Sequence, residues 1–422
     1  MKIRFLASRL LSDGNSFSME FKRNSFHDTM TGLDCGGHTD RTADIFSRAC
    51  VESFDSCNWA QFGYKFTQVF APSVLYELAL LEGVQLAPLA RLKDRRTAAL
   101  ASLGAMLDRG FELTVVELVN VASALISISR FELVRNVLTI LSERQTTPRE
   151  DFEIGWLEFV VSNRCDGGAS SPAAFERMRR AVNTRAVPVS RMLDACTQAV
   201  VWYIKRRELP TASFERWLEL GTSLTETSGR IEPGALSSWY RGIAMVPAAS
   251  GDVVATRRSM ERAREAADVS TGSETRAADL NMLKTYYESA IKEYLYVQRD
   301  IEAAEEAGRS LIALDPVWSV SYGELAEVYL RSKRVERAAQ FYEQAAAAGP
   351  PYLAHHLLKA AMCRDRCGDH SRAMAHFEKL AVFVPQSRRV MSAGLDLARR
   401  LAHPSAAVFE RGLREMESHA AD

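Results

Sequence analysis

Hydrophobic positions in the C-terminal part of the chain follow two periods, one short and one long. Within one stretch, Tyr322, Leu325, Ala326 and Tyr329 fall at i, i+3, i+4 and i+7, which is the spacing of one stripe along an α-helix. Between about residues 281 and 387, similar positions return after 34 or 35 residues. An interval of about 34 residues has room for two helices and two short turns. The pattern therefore predicts three consecutive helical hairpins.

Small, aromatic and proline residues match from one interval to the next. The matched sets are Pro316, Pro350 and Pro385; Ala304, Ala338 and Ala373; Gly308, Tyr342 and Phe377; and Leu311, Ala345 and Leu380. Small residues allow two helices to approach closely, and aromatic residues fill the space between neighbouring hairpins. Each proline ends a unit because it cannot continue a helix.

The second of these units resembles the tetratricopeptide repeat. It carries the stripe described above and then Ala338, Tyr342, Ala345 and Pro350. The third unit departs from the family pattern, because Arg364 stands where an aromatic residue is usual. The resemblance covers a minor part of the chain. It implies an all-α fold, an α-solenoid of helical hairpins, that binds a polypeptide partner.

The middle of the chain, residues 73–280, is predicted to be helical with short breaks. Two apolar stretches, Ala235 to Val246 and Val254 to Ala267, flank Gly251-Asp252 and predict another hairpin. The region is either a continuation of the array with a degenerate repeat pattern or a separate helical bundle. The segment from Asp166 to Pro172 is either a linker between two sub-arrays or a turn between two helices.

Residues 1–72 differ from the rest and are predicted to form a separate N-terminal segment. Lys2 to Leu10 and Phe17 to Lys22, separated by a turn around Gly14, are predicted to form a β-hairpin, and a helix is expected from about Thr39 to Phe54. The predicted organisation is therefore an N-terminal segment (1–72), a degenerate hairpin region (73–280) and tetratricopeptide-like repeats with C-terminal helices (281–422).

The charge balance argues against a nucleic-acid partner. The chain has 53 basic and 53 acidic residues, whereas proteins that bind nucleic acid usually carry a basic excess. No segment approaches the ~20 consecutive apolar residues of a membrane span, and no secretory signal is recognised at the N-terminus. Arginine and alanine are frequent and lysine is scarce, which is typical of a GC-rich bacterial genome. We expect a cytoplasmic bacterial protein.

Two groups of cysteine and histidine residues are candidates for a metal or redox site. They are Cys35, His38, Cys50 and Cys57, and Cys363, Cys367 and His370. The spacing of the first group fits no common zinc finger, and the second group fits ordinary helix and turn positions. No phosphate-binding loop, nucleophile elbow or zinc-protease motif is present. We therefore predict no catalytic residue, no metal site and no cofactor.

In an array of this kind, the first helix of each pair lines the concave groove. The residues expected to face it are Tyr286, Glu293, Tyr296, Glu324, Glu327, Arg331, His355, Lys359 and Arg366. Mixed charges and tyrosines suit an extended or helical peptide. The sequence thus favours a protein-binding scaffold or adaptor, with a homodimer also possible. The alternatives are a peptide- or ligand-sensing regulator and an enzyme or enzyme subunit that uses the N-terminal cysteine and histidine group.

Overall fold

A computed structural model describes most of the chain from residue 112 to residue 418. The gaps in this range are residues 128–130, 166, 183, 185, 207–210, 269–276, 315–318, 348–352, 384 and 386. The predicted β-hairpin, the predicted N-terminal helix and the first cysteine and histidine group lie outside the described residues. Within them the chain forms helices and turns and no strand, which confirms the predicted all-α fold of helical hairpins.

Two compact units divide the described residues between Asp300 and Ile301. The helices of the first unit are α1 (Val115–Ser127), α2 (Phe131–Ser142), α3 (Pro148–Cys165), α4 (Ser171–Val182), α5 (Val189–Arg206), α6 (Ala212–Thr227), α7 (Pro233–Ser250), α8 (Val253–Ala267) and α9 (Ala277–Lys292), which continues into a π-helical turn (Glu293–Gln298). The helices of the second unit are α10 (Ile301–Leu314), α11 (Ser319–Arg331), α12 (Val335–Ala347), α13 (Leu353–Arg366), α14 (His370–Phe383), α15 (Arg388–Arg400) and α16 (Ala406–Ser418).

The first unit is an array of hairpins. Helix α3 packs on α4, α5 on α6 and α7 on α8, and the first helices of successive pairs also touch, α5 with α7 and α7 with α9. The predicted turn between α7 and α8 is present: Gly251 adopts a left-handed conformation with φ of 77°, and the Asp252 side chain accepts a hydrogen bond from the Ala255 N–H as the N-cap of α8. The described helices of the first unit therefore pair as hairpins.

The segment after α3 is a short turn within the first unit. The Gly168 N–H donates to the Ser162 carbonyl at 2.9 Å, and the Ser170 N–H donates to the Ser162 hydroxyl at 3.0 Å. Helix α4 follows directly and packs on α3. Of the two alternatives for the segment from Asp166 to Pro172, the structure therefore supports the inter-helix turn.

Aromatic side chains fill the centre of the first unit. The Phe175 ring lies 5.9 Å from that of Trp202 and 6.0 Å from that of Trp217, and all three are buried. Trp239 of α7 lies flat against Gly221 of α6, where any side chain would overlap its ring. The α6–α7 contact thus depends on the absence of a side chain at position 221.

The second unit buries the residues that define the repeat. Ala304, Ala338 and Ala373 have no exposed surface, and Tyr342 and Phe377 are buried. At Gly308 of α10, a Cβ atom would lie 2.8 Å from Leu325 Cδ1 of α11. The small residues therefore serve as the sequence pattern predicts, by letting consecutive helices approach closely.

Replacing Gly221 by alanine tests this close packing. Alanine normally stabilises a helix interior by ~1 kcal/mol relative to glycine. Here the added methyl group would collide with the Trp239 ring, so we expect G221A to lower the free energy of unfolding by about 1–3 kcal/mol. Urea unfolding followed by circular dichroism measures the change.

The matched control is G234A at the start of α7, where nothing lies within 4 Å of the new Cβ atom. We expect this variant to be neutral or slightly stabilised. A G221A protein that is as stable as G234A would show that the α6–α7 contact is not closely packed.

Candidate partner-binding site

Helices α11 and α13, the first helices of two successive hairpins, lie side by side. A Cβ atom at Gly323 of α11 would be 2.5 Å from His356 Nε2 of α13. The Lys359 ammonium of α13 lies 3.9 Å from Glu327 Oε2 of α11. We call the outward side of these two helices the first-helix face and define it by Glu324, Glu327, Arg331, His355, Lys359, Met362 and Arg366.

Glu327 connects this face to the interior of its own hairpin. Its carboxylate accepts hydrogen bonds from Arg331 Nε and from the hydroxyl of Tyr342, a buried residue of α12, both at 2.8 Å. Burial raises the pKa of Glu327, but these two hydrogen bonds and the nearby Lys359 charge outweigh burial and hold the pKa below its usual value. Glu327 therefore stays ionised at neutral pH and stabilises the α11–α12 hairpin.

One stripe of α13 faces outward along most of the helix. His355, Lys359, Met362 and Arg366 fall at i, i+4, i+7 and i+11. His355 and Lys359 are half-buried, Arg366 is exposed, and the apolar side chain of Met362 is 40% exposed. Met362 is missing from the predicted groove residues, although its position on the same stripe was the signal that could have identified it.

His356 lies beneath the face and supports it. Its ring stacks on that of Tyr342 with the centroids 6.3 Å apart, and the His355 ring meets it edge-on at 5.7 Å. Burial, with a smaller contribution from His355, lowers the pKa of His356 to about 3. The ring is therefore neutral at physiological pH and acts as a packing residue between α11, α12 and α13.

Of the three predicted groove residues of the first unit, one is exposed and two are buried. Tyr296 is 50% exposed, but Tyr286 and Glu293 have only 5% and 4% of their surfaces exposed. We therefore correct the prediction that Tyr286 and Glu293 face a groove. Tyr286 packs against the Tyr287 ring at 5.5 Å.

Glu293 begins the π-helical turn, where each turn holds one residue more than in an α-helix. Tyr286 lies seven residues earlier, within α9, so the two residues share one helical stripe, and that stripe is buried. The buried carboxylate accepts a hydrogen bond from Gln298 Nε2 at 2.6 Å and lies 3.6 Å from Arg257 Nη1 of α8. Burial raises the pKa of Glu293 above its usual value, although Gln298 and Arg257 act in the opposite direction. These contacts tie the end of α9 to α8.

The second cysteine and histidine group does not converge on one point. Cys363 is buried, and burial raises the pKa of its thiol to about 11, whereas Cys367 is exposed. His370 Nδ1 is engaged with the Asp365 carboxylate at 3.0 Å. Across the described residues, no three histidine, cysteine or acidic side chains are grouped so that they could hold a metal ion.

Arg364 occupies the position where the repeat pattern expects an aromatic residue. Its guanidinium is buried and donates two hydrogen bonds to the Glu343 carboxylate, at 2.8 and 2.6 Å. His376 Nε2 lies 3.0 Å from the same carboxylate. This ion cluster joins α12, α13 and α14, and it anchors the helix that carries the outward stripe.

Comparisons with known proteins support the fold and do not identify a family. No family model matches the sequence, and neither does any curated protein. The crystal structure of yeast Tom70 is similar over 98% of this chain and 94% of its own, with a TM-score of 0.52 and 10% sequence identity. This likeness supports the helical-repeat fold alone.

Two further solved structures are more distant. MamA aligns with 43% of this chain and 98% of its own, with a TM-score of 0.32 and 18% identity. A tetratricopeptide repeat protein from Parabacteroides merdae aligns with 69% of this chain and 99% of its own, with a TM-score of 0.40 and 13% identity. Among the described helices, none has the length and apolar character to cross a membrane.

The ion cluster around Arg364 makes stability depend on pH. Burial raises the pKa of Glu343, but the hydrogen bonds from Arg364 and His376 outweigh it and place the pKa below its usual value of 4.5. A carboxyl group with a lowered pKa stabilises the fold above its unfolded-state pKa, and this contribution is lost as the pH falls through the folded-state value. At pH 7 we expect E343Q to lose about 1–3 kcal/mol of unfolding free energy, because a hydrogen bond to a charged partner is weakened.

The loss should shrink as the pH is lowered below 4.5. Urea unfolding at a series of pH values measures it. The control is E336Q on the same helix, where the glutamate is exposed and forms no ion pair within the described part of the chain. An E343Q deficit that stayed constant from pH 7 to pH 3 would contradict the charged cluster.

Proposed function

We propose that this protein is a scaffold or adaptor that binds a polypeptide partner through the first-helix face of its second unit. The proposal rests on which sides of α11 and α13 are buried and which face outward. Both helices bury one side in the hairpin core, through residues such as Leu325 and Ala361. Their other side presents mixed charges around an exposed methionine.

The observation that carries the proposal is the exposure of Met362 between Lys359 and Arg366. An apolar side chain surrounded by charged groups is the common arrangement of a protein interface, in which an apolar centre is desolvated and a polar rim sets orientation. Methionine suits this use because its flexible thioether adapts to the surface of a partner.

Packing within the hairpins keeps this surface rigid. Helix α13 is held against α11 and α12 by contacts of His356, Tyr342 and Glu327. The Arg364 cluster holds α13 against α14. A surface held by packed helices loses little conformational freedom when a partner binds, so more of the contact energy contributes to affinity. Six of the nine residues predicted for the groove belong to this face.

Affinity capture with the tagged full-length chain tests this proposal. The bait variant is K359E/R366E, and the matched control is R411E/R414E, which makes the same change in net charge at two exposed arginines of α16. We expect the natural chain and the control to retain a common set of polypeptides from an extract of the organism that makes the protein. The K359E/R366E bait should lose them, because its rim charges are reversed.

Thermal unfolding of each bait provides the folding control, since all four substituted side chains are half-exposed or exposed. M362A serves as a second bait variant that leaves the charges unchanged, and it should weaken capture of the same polypeptides. Equal capture by all four baits would place the binding surface elsewhere and overturn the proposal.

A further inference from the structure

The outward stripe of α13 has a charge that neighbouring residues leave largely uncompensated. Within the described part of the chain, no acidic group lies within 4 Å of the Arg366 guanidinium. The acidic neighbour of Lys359 is Glu327, at 3.9 Å, and that carboxylate already accepts two hydrogen bonds of 2.8 Å from other groups. An ion pair at this distance on a partly exposed surface compensates little of the Lys359 charge.

Other charges on α13 are neutralised within the fold. Arg364 is buried in its cluster with Glu343. Asp365 is paired with Arg400 at 2.6 Å and with His370 at 3.0 Å. The positive potential of this helix is therefore concentrated at Lys359 and Arg366, on either side of Met362.

The spacing of this stripe defines the geometry of a complementary partner. Lys359 and Arg366 are separated by seven residues, or about 10.5 Å along the helix axis, and Met362 lies between them. In an α-helix, residues at i, i+4 and i+7 fall on one face and span the same length. In an extended chain, two residues about 10 Å apart are three positions apart and point to opposite sides.

We propose that the partner segment is an amphipathic acidic α-helix that lies along α13. This inference rests on the proposed function and specifies the chemistry of the guest. One carboxylate of the guest meets Lys359, an aliphatic residue three or four positions later covers Met362, and a second carboxylate at i+7 meets Arg366. Helices that lie in grooves with anchors at these spacings are a recurrent mode of peptide recognition.

The neighbouring helix favours a polypeptide over a nucleic acid. Glu324 and Glu327 lie on the first-helix face, beside the basic stripe. A regularly charged phosphate backbone that followed Lys359 and Arg366 would also approach these carboxylates and be repelled. A peptide can direct its acidic residues toward α13 alone, and the side of the peptide that faces α11 can be neutral or basic.

Fluorescence anisotropy with the full-length protein tests the inference. The probe is a labelled, alanine-rich peptide of about 20 residues, long enough to be helical, with glutamate at i and i+7 and leucine at i+4. The register control has the same composition, but its second glutamate is moved to i+5, away from the shared face. A single-stranded RNA oligonucleotide serves as the third probe.

We expect the matched peptide to bind at least about tenfold more tightly than the register control, since tenfold corresponds to the loss of one good contact. K359Q/R366Q and M362A should each weaken binding of the matched peptide, whereas R411Q/R414Q should leave it unchanged. Circular dichroism confirms that each variant is folded.

Three results would overturn the inference. The two peptides could bind equally, the matched peptide could fail to bind, or the RNA could bind more tightly than the peptide with dependence on Lys359 and Arg366. The proposed function has its own test. It is contradicted only if affinity capture is insensitive to K359E/R366E and M362A. If capture depends on the face while the matched peptide fails, the scaffold stands and its partner has another chemistry.

Discussion

Close approach between neighbouring helices is the constraint on which the rest of this structure depends. Helices in contact through ordinary side chains are usually 8–10 Å apart, and shorter approaches require residues with little or no side chain. Gly221 meets the Trp239 ring, Gly308 meets Leu325, and Gly394 would place a Cβ atom 2.5 Å from the Phe409 ring. Each of these three contacts joins one helix to the next along the chain.

This packing determines which side chains remain available to a partner. In the second unit, the same principle brings Gly323 of α11 against His356 of α13, and the ring of Tyr342 covers the histidine. These contacts cover one side of each first helix, and the opposite side faces outward. The first-helix face therefore follows from the packing, and its chemistry is set by the few residues on the outward stripes, above all Lys359 and Met362.

The repeat period predicted much of the second unit because its packing residues are small or aromatic and recur at a fixed interval. Ala338 and Tyr342 are buried as their positions in the repeat require. The pattern shows Arg364 at an aromatic position but could not predict the cluster that neutralises it, because Glu343 and His376 come close to it only in the folded structure. In the first unit, the segment from Asp166 to Pro172 left two interpretations open, because glycine, serine and proline suit both a linker and a turn.

The candidate site was partly predictable for a related reason. A stripe with the α-helical period predicts that Lys359 and Arg366 share the outward side; Lys359 is half-buried and Arg366 is exposed. The prediction of a groove position fails at Glu293, because the stripe that this residue shares with Tyr286, seven positions earlier, is buried. Tyr286 was misplaced because its size makes it as suitable for a core as for a groove.

Photo-crosslinking from single positions tests most directly whether the first-helix face receives a polypeptide. A benzophenone amino acid would replace either Met362 of α13, a first helix, or Val382 of α14, a second helix. Both are apolar residues, and they are 40% and 70% exposed, respectively. The account predicts a covalent adduct with a partner polypeptide from position 362 and none from position 382. An adduct that forms only from position 382, or from both positions equally, would contradict it.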